Sequence, residues 1–289
     1  MKLLNTKLPP EAVHAKKLKA VVLDWAGTTV DFGSLAPART LQQAFANEGI
    51  ELTDADVRRD MGLPKRGHIG KIFLLTKVRE AWQRRRGRAP TMADAEEMYQ
   101  RFIPAQLSCL RDYSGLIPGV LESVKTFRGR GLKIGSTTGY TRAMSDLLVE
   151  MSAKAGYEPD CSLSPEDVGA GRPEPFMLYE CAVRLRVYPL AAIAKVGDTP
   201  ADIEEGLNAG AWSIGVAGTG NGIGLSCEEF TALPKDEKQS RLANARSELE
   251  RAGAHYVVDT LAEVNAVLDD IDARLLAAAK GSCQATKVE

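Results

Sequence analysis

The sequence predicts an α/β protein in which a doubly wound parallel sheet is interrupted once by a purely helical insert. Three observations carry this. Short β-rich apolar runs bounded by Gly, Asp or Thr recur along the chain, and they do not alternate with polar residues, as expected of strands covered on both faces. Segments with apolar residues three and four apart separate them, the pattern of crossover helices. One long interval, from Ala36 to Asp112, has helical patterns and no convincing strand, which is too much chain for a loop of a compact domain.

The strand candidates are, in order, Ala20–Asp24 (AVVLD), Leu132–Ser136 (LKIGS), Ala192–Gly197 (AIAKVG), Trp212–Val216 (WSIGV) and His255–Val258 (HYVV). Helical period is clear in Gly119–Arg128, and in Leu261–Leu275 with apolar residues at 261, 264, 268, 271 and 275. Within the insert it appears in Leu41–Asn47, Ile69–Arg84 and Ala93–Leu110. Residues 1–35 and 113–289 are therefore expected to form the α/β core and residues 36–112 a helical cap domain. Gly281–Glu289 reads as a frayed tail.

Composition narrows the function. Across 289 residues, 37 Lys and Arg against 38 Asp and Glu leave a formal charge of −1, which argues against a protein that coats nucleic acid. The insert alone has 14 Lys and Arg against 10 Asp and Glu, so it is basic and the remainder acidic. The RRRGR run at Arg84–Arg88 lacks interleaved aromatics and reads as a solvated face. Apolar runs such as Leu190–Ala194 and Leu275–Ala279 fall far short of the roughly 18 residues of a membrane span. Pro-Pro and charges break the N-terminus before any signal-peptide core forms. Cys109, Cys161, Cys181, Cys227 and Cys283 are odd in number, scattered and without CxxC spacing, so they are expected as buried reduced thiols of a cytoplasmic protein.

In such a sheet, chemistry sits at the carboxyl ends of the strands. Asp24 ends the first strand in VVLDWAGTTVD, where a carboxylate before a small-residue turn suits attack on phosphorus, or equally a helix cap. The second strand runs into GSTTGYT, which offers Ser136, Thr137 or Thr138 to a phosphate beside a helix N-terminus. KVGDTPADIEEG puts Asp198 at a strand end and Asp202 four residues on. With Asp24, Asp198 would make a hard-oxygen site for Mg²⁺, while Asp202 reads better as a supporting charge. Arg172, in a Gly-Arg-Pro turn, is placed to neutralise a transferring phosphoryl group, or is a surface arginine.

In combination these motifs, strand–DxxGT, strand–Ser/Thr, GRP and strand–GDTxxD, resemble the haloacid dehalogenase superfamily. Its members use an Asp nucleophile and Mg²⁺ on a Rossmann-like core beneath a mobile cap. One position departs from the pattern: the general acid two residues after the nucleophile is replaced by Ala26, which costs ester hydrolysis a factor of about 10²–10⁴. DWAGT together with MGLPKRGHI (Met61–Ile69), AGRP and VGDTxxD is similar to the phosphonoacetaldehyde hydrolase branch, over roughly Lys19 to Leu268.

That resemblance implies cleavage of a C–P bond to acetaldehyde and phosphate in phosphonate degradation, by a homodimer with a small phosphonate substrate. It implies that Asp24 attacks phosphorus and that Lys65 forms a Schiff base with the aldehyde. It places Mg²⁺ on Asp24, Asp198 and the Ala26 carbonyl. The chemistry agrees: a carbanion is a far worse leaving group than an alkoxide, and an iminium on the neighbouring carbon accepts its electrons. Such a site needs a lysine rather than a second aspartate. Lys65 must be neutral to attack, so its pKa is expected near 7–8, lowered by burial, Arg66 and the metal. Thr138 and Arg172 are expected to hold phosphoryl oxygens, with His68 and Tyr140 as supporting residues. A phosphate-ester phosphatase or mutase, and a non-catalytic phosphate sensor, remain as alternatives.

Overall fold

A computed structural model describes residues 2–285, with side chains described as far as Gly281. Six parallel strands form one sheet in the order β3-β2-β1-β4-β5-β6: β1 (Ala20–Leu23), β2 (Lys133–Thr137), β3 (Cys161–Leu163), β4 (Ile193–Gly197), β5 (Trp212–Val216) and β6 (Tyr256–Val258). The order reverses direction at β1, the switch point at which doubly wound sheets carry their sites. Five strands lie within a residue of their expected positions. β3 was not expected: three residues, one of them Ser162, give no apolar run, and only the parallel pairing with β2, Gly135 opposite Cys161, marks them as a strand.

Between β1 and residue 112 the chain forms five α-helices and no strand of the sheet: α1 (Leu35–Ala46), α2 (Asp54–Arg58), α3 (Lys65–Phe73), α4 (Thr76–Arg86) and α5 (Met92–Leu110). The single period read over Ile69–Arg84 is two helices, broken at Leu74 and Leu75. Ile72 and Phe73 before the break, and Val78 and Trp82 after it, all still face inward. Phe73 contacts Phe45 at 5.1 Å and Trp82 edge-on at 5.0 Å, so the insert has an aromatic centre of its own. Part of the arginine run is paired within the insert: Arg86, with Arg101, bonds the buried Glu48 carboxylate at 2.6 and 2.8 Å, and Arg88 grips Asp94 with two bonds.

On one side of the sheet pack α9 (Phe176–Leu185), α10 (Pro200–Ala209) and α12 (Lys235–Arg251), and on the other α6 (Val120–Gly129) with α13 (Val264–Ala285). Helix α7 (Arg142–Lys154) adjoins β3; α8 (Pro165–Val168) and α11 (Cys227–Ala232) are single turns. The expected tail is corrected over Gly281–Ala285, which continue α13; residues 286–289 lie outside the described residues. Among the cysteines whose side chains are described, Cys181 is buried and Cys109, Cys161 and Cys227 are half-buried free thiols, so the expectation of buried thiols holds for Cys181 alone of these four; the Cys283 side chain lies outside the described residues. Among the described residues no helix is long and apolar enough to cross a membrane.

Candidate active site

Register alone brings three motifs together. Leu23 pairs with Ser136 on one side and Val196 on the other, so Asp24, Thr137–Thr138 and Asp198 leave adjacent strands at one level, about 4.8 Å apart per strand. The turn after Asp24 is tight: Thr28, Thr29 and Val30 all donate their N–H groups to the Trp25 carbonyl, and Thr29 Oγ1 donates to Asp24 O at 2.9 Å. The Ala26 carbonyl accepts none of the turn's backbone hydrogen bonds.

Beneath the strand ends lies a fully buried charge network. Arg172 contacts Asp24 Oδ1 at 2.8 Å, Asp202 Oδ1 at 2.9 Å and Glu205 Oε2 at 3.0 Å, and donates to Thr137 O at 2.6 Å. Lys195 joins from β4, 2.7 Å from Asp202 and 3.4 Å from Glu205. Asp202 also caps α10 through Thr199, whose Oγ1 donates to Oδ2 at 2.6 Å. Burial alone would raise the Asp202 carboxyl, but Arg172 and Lys195 overcome it and hold it below the ordinary value. Its oxygens are committed to these partners.

The other two aspartates are under-compensated. Burial raises the Asp24 pKa against the pull of Arg172, and burial plus the Asp24 charge raise Asp198 well above the usual range. Asp198 Oδ2 accepts from Asn221 N at 2.6 Å, while Oδ1 has no hydrogen-bond partner although buried. Ligand atoms of Asp24, Asp198 and Asp202 lie within 4.8 Å of one another. Gly27 and Gly220 make room here: a Cβ on either would come within 2.2 or 2.3 Å of the Asp198 side chain. An orphaned carboxylate oxygen, an excess of buried negative charge and an all-oxygen donor set fit a hard divalent cation.

The fourth component comes from the insert. Lys65, at the start of α3, is 4% exposed and shares one cavity of about 20 Å³ with Asp24, Ala26, Thr138, Tyr140, Arg172 and Asp198. That space holds about one water. The insert sits this close because glycines meet it: a Cβ on Gly139 would lie 2.5 Å from Gly62 O, and one on Gly62 would lie 2.2 Å from Thr199 Oγ1. Burial pushes Lys65 down to about 8, with Arg172 lowering it further and Asp24 and Asp198 pulling it up. The magnitude matches the expectation but Arg66 is not a cause: it pairs with Glu96 and stacks 4.5 Å from the Tyr99 ring, away from the cavity. The Lys65 amine has only Met61 Sδ at 4.0 Å and the Tyr140 ring centroid at 4.9 Å.

His68, one turn along α3, is fully buried; burial and then Lys65 push it down to about 3, so it is neutral. It does not line the cavity, and neither ring nitrogen has a hydrogen bond of ordinary geometry. Tyr140 lines the cavity with its hydroxyl unpartnered. Of the three hydroxyls offered by GSTTGYT, Ser136 Oγ is spent on Leu23 O and Thr137 Oγ1 on Glu205, leaving Thr138. The sequence reading missed Ser34, Met61 and Thr199 in the cavity wall, and Lys195 and Glu205 below it. A lysine inside the otherwise apolar AIAKVG strand was the available signal for a buried ion pair.

Residues 18–210 match the family described as haloacid dehalogenase-like hydrolase. A phosphonoacetaldehyde hydrolase of Syntrophobacter fumaroxidans is 45% identical over 255 residues, covering 88% of this chain and 92% of that one. The bifunctional phosphonoacetaldehyde hydrolase/aminoethylphosphonate transaminase of Clostridioides difficile is 40% identical over 90% of this chain and 41% of its own. The crystal structure of a phosphonoacetaldehyde hydrolase like protein from Oleispira antarctica superposes with a TM-score of 0.88 at 39% identity, over 90% of this chain and 94% of that one.

Proposed function

The chain belongs to the phosphonoacetaldehyde hydrolases of the haloacid dehalogenase superfamily, and we propose that it cleaves the C–P bond of phosphonoacetaldehyde through a Lys65 Schiff base and an Asp24 aspartyl phosphate. The observation that carries this reading is the meeting of a neutralisable buried amine and a strand-end carboxylate in one cavity that has Ala26, not an acid, beside them.

Lys65 Nζ, deprotonated, adds to the aldehyde carbon and expels water to give an iminium. Asp24 then attacks phosphorus; the P–C electron pair moves into the iminium, leaving an enamine on Lys65 and a phosphoryl group on Asp24. Protonation of the enamine carbon and hydrolysis of the imine release acetaldehyde. Water cleaves the aspartyl phosphate, returning Asp24 and phosphate. Arg172 holds the Asp24 oxygen and, with the Thr138 hydroxyl, faces the phosphoryl oxygens. Tyr140 and His68 keep the amine dry and without a counter-ion. Asp24, Asp198 and the Ala26 carbonyl would hold Mg²⁺, which when bound offsets the negative charge of carboxylate and phosphonate. Asp202 acts below them, holding Arg172.

The cavity is too small for the substrate, so the insert, residues 36–112, is taken as a cap that opens for entry and closes for chemistry. Cytoplasmic location and a homodimer come with this reading from the family. The relative in Clostridioides difficile that is also named as a transaminase fits a supply of the aldehyde from 2-aminoethylphosphonate. Borohydride added during turnover should reduce the imine and leave the substrate carbons on Lys65, seen by mass spectrometry. Phosphate release from a simple phosphate ester but not from phosphonoacetaldehyde would overturn the proposal.

A further inference from the structure

We propose that Arg58 and Asn221 form a closure latch, which ties docking of the helical insert to orientation of the Asp198 carboxylate. The inference rests on the reading above, in which Asp198 is a metal ligand and the insert a closing cap. Arg58 ends α2, on the insert, and its guanidinium crosses to the core. Nη1 donates to Gly33 O at 2.8 Å, in the segment joining β1 to the insert, and to Asn221 Oδ1 at 3.2 Å, in the loop after β5. Nη2 reaches Gly224 O at 3.4 Å. Asn221 answers by donating Nδ2 to Arg58 O at 3.0 Å.

Asn221 divides all its polar groups between two residues. Its side chain and carbonyl meet Arg58, and its N–H meets Asp198 Oδ2 at 2.6 Å. That short charge-assisted bond fixes one oxygen of Asp198 and leaves Oδ1 as the free, buried one. The fit is close. A Cβ on Gly224 would lie 2.9 Å from Arg58 Nε, and Gly224 has φ +66. When the insert swings away, Arg58 leaves these carbonyls, and nothing from the insert holds the Asn221 loop against Asp198. Closure and metal binding then favour each other, and by linkage the effect is reciprocal.

Mg²⁺ alone, titrated calorimetrically into the full chain, tests the latch without turnover. Arg58→Ala and Asn221→Ala should each weaken Mg²⁺ binding about fivefold or more, within the usual range of coupling. The double variant should be no weaker than the weaker single, because both cut one link. Arg58→Lys should recover only part, since an ammonium cannot span both segments as the fork does. Each latch variant should also be cut faster by protease near Gly33 with Mg²⁺ present. Asn221→Ala keeps the backbone N–H on Asp198, so it remains informative if Arg58→Ala does not fold. Asp198→Asn is the control. If it abolishes Mg²⁺ binding while the latch variants bind within twofold of the parent, the latch is wrong and the metal assignment stands. If it leaves binding unchanged, both fall together. Weaker binding with unaltered cleavage near Gly33 also overturns the latch, because the effect would then be confined to the loop.

Discussion

At the sheet edge Arg172, Lys195, Asp202 and Glu205 are buried and tied to one another and to Asp24 at 2.7–3.4 Å, whereas on α3 the buried Lys65 amine and His68 imidazole have almost nothing to bond. Both regions are dry, yet dryness does opposite things in them. Where charges are paired, burial strengthens the pairs, and the Arg172 pKa rises despite its desolvation. Where a charge is alone, burial makes it cheap to discard, and Lys65 falls to about 8. The first region suits a phosphoryl group that stays charged throughout. The second suits an amine that must lose its proton before it can react.

The largest break in this contrast is Lys65→Arg. It keeps size and charge but cannot deprotonate, so kcat should drop about 10³-fold or more, and borohydride trapping should vanish. Activity within tenfold of the parent would remove the amine from the proposed chemistry. Next, removing a cation should have opposite consequences for stability in the two regions. Arg172→Met leaves Asp24, Asp202 and Glu205 without their shared partner and should destabilise the protein by about 3–5 kcal/mol in urea unfolding.

Lys65→Met should instead stabilise it, by about 1–3 kcal/mol at pH 7, because an unpaired buried ammonium becomes an apolar side chain. The sign of the pH dependence follows from the shift. The folded pKa of about 8 lies below the ordinary 10.5, so between these values the unfolded chain binds more protons and the parent gains stability with rising pH. The advantage of Lys65→Met is therefore full below pH 8 and fades as pH approaches 10.5. Equal stability of the two proteins from pH 6 to 10 would show that the amine is better solvated than its surroundings imply.

What could be read in advance follows the same division. Asp24, Asp198 and Thr138 were legible because a strand end is a local event and parallel pairing sets neighbouring ends level. The long strandless interval made the insert legible. The charge network was not: Glu205 meets Arg172 only after α9 and α10 have folded onto the sheet, and no spacing along the chain announces that. Arg66 was credited with the lowering of Lys65 because adjacent residues are near in sequence, but neighbours on a helix point about 100° apart, and Arg66 faces Glu96. β3 escaped because three residues are too few for a pattern.

Ala26 stands where the two regions meet, and the smallest predicted effect falls there. Its methyl group is half-buried in the cavity wall, while its carbonyl takes no part in the turn's hydrogen bonds. If only that carbonyl matters, Ala26→Gly keeps every group the proposed reaction uses. The added backbone freedom costs about 0.5–1 kcal/mol, and the three N–H groups gathered by Trp25 O do not depend on the Ala26 side chain. Steady-state kcat/KM should fall less than about threefold, with calorimetric Mg²⁺ affinity unchanged. A loss of two orders of magnitude at unchanged affinity would mean that the methyl itself shapes the path of attack. Ala26 would then be present to pack against the reacting groups, and the missing general acid would be a by-product of that packing rather than a sign of the leaving group.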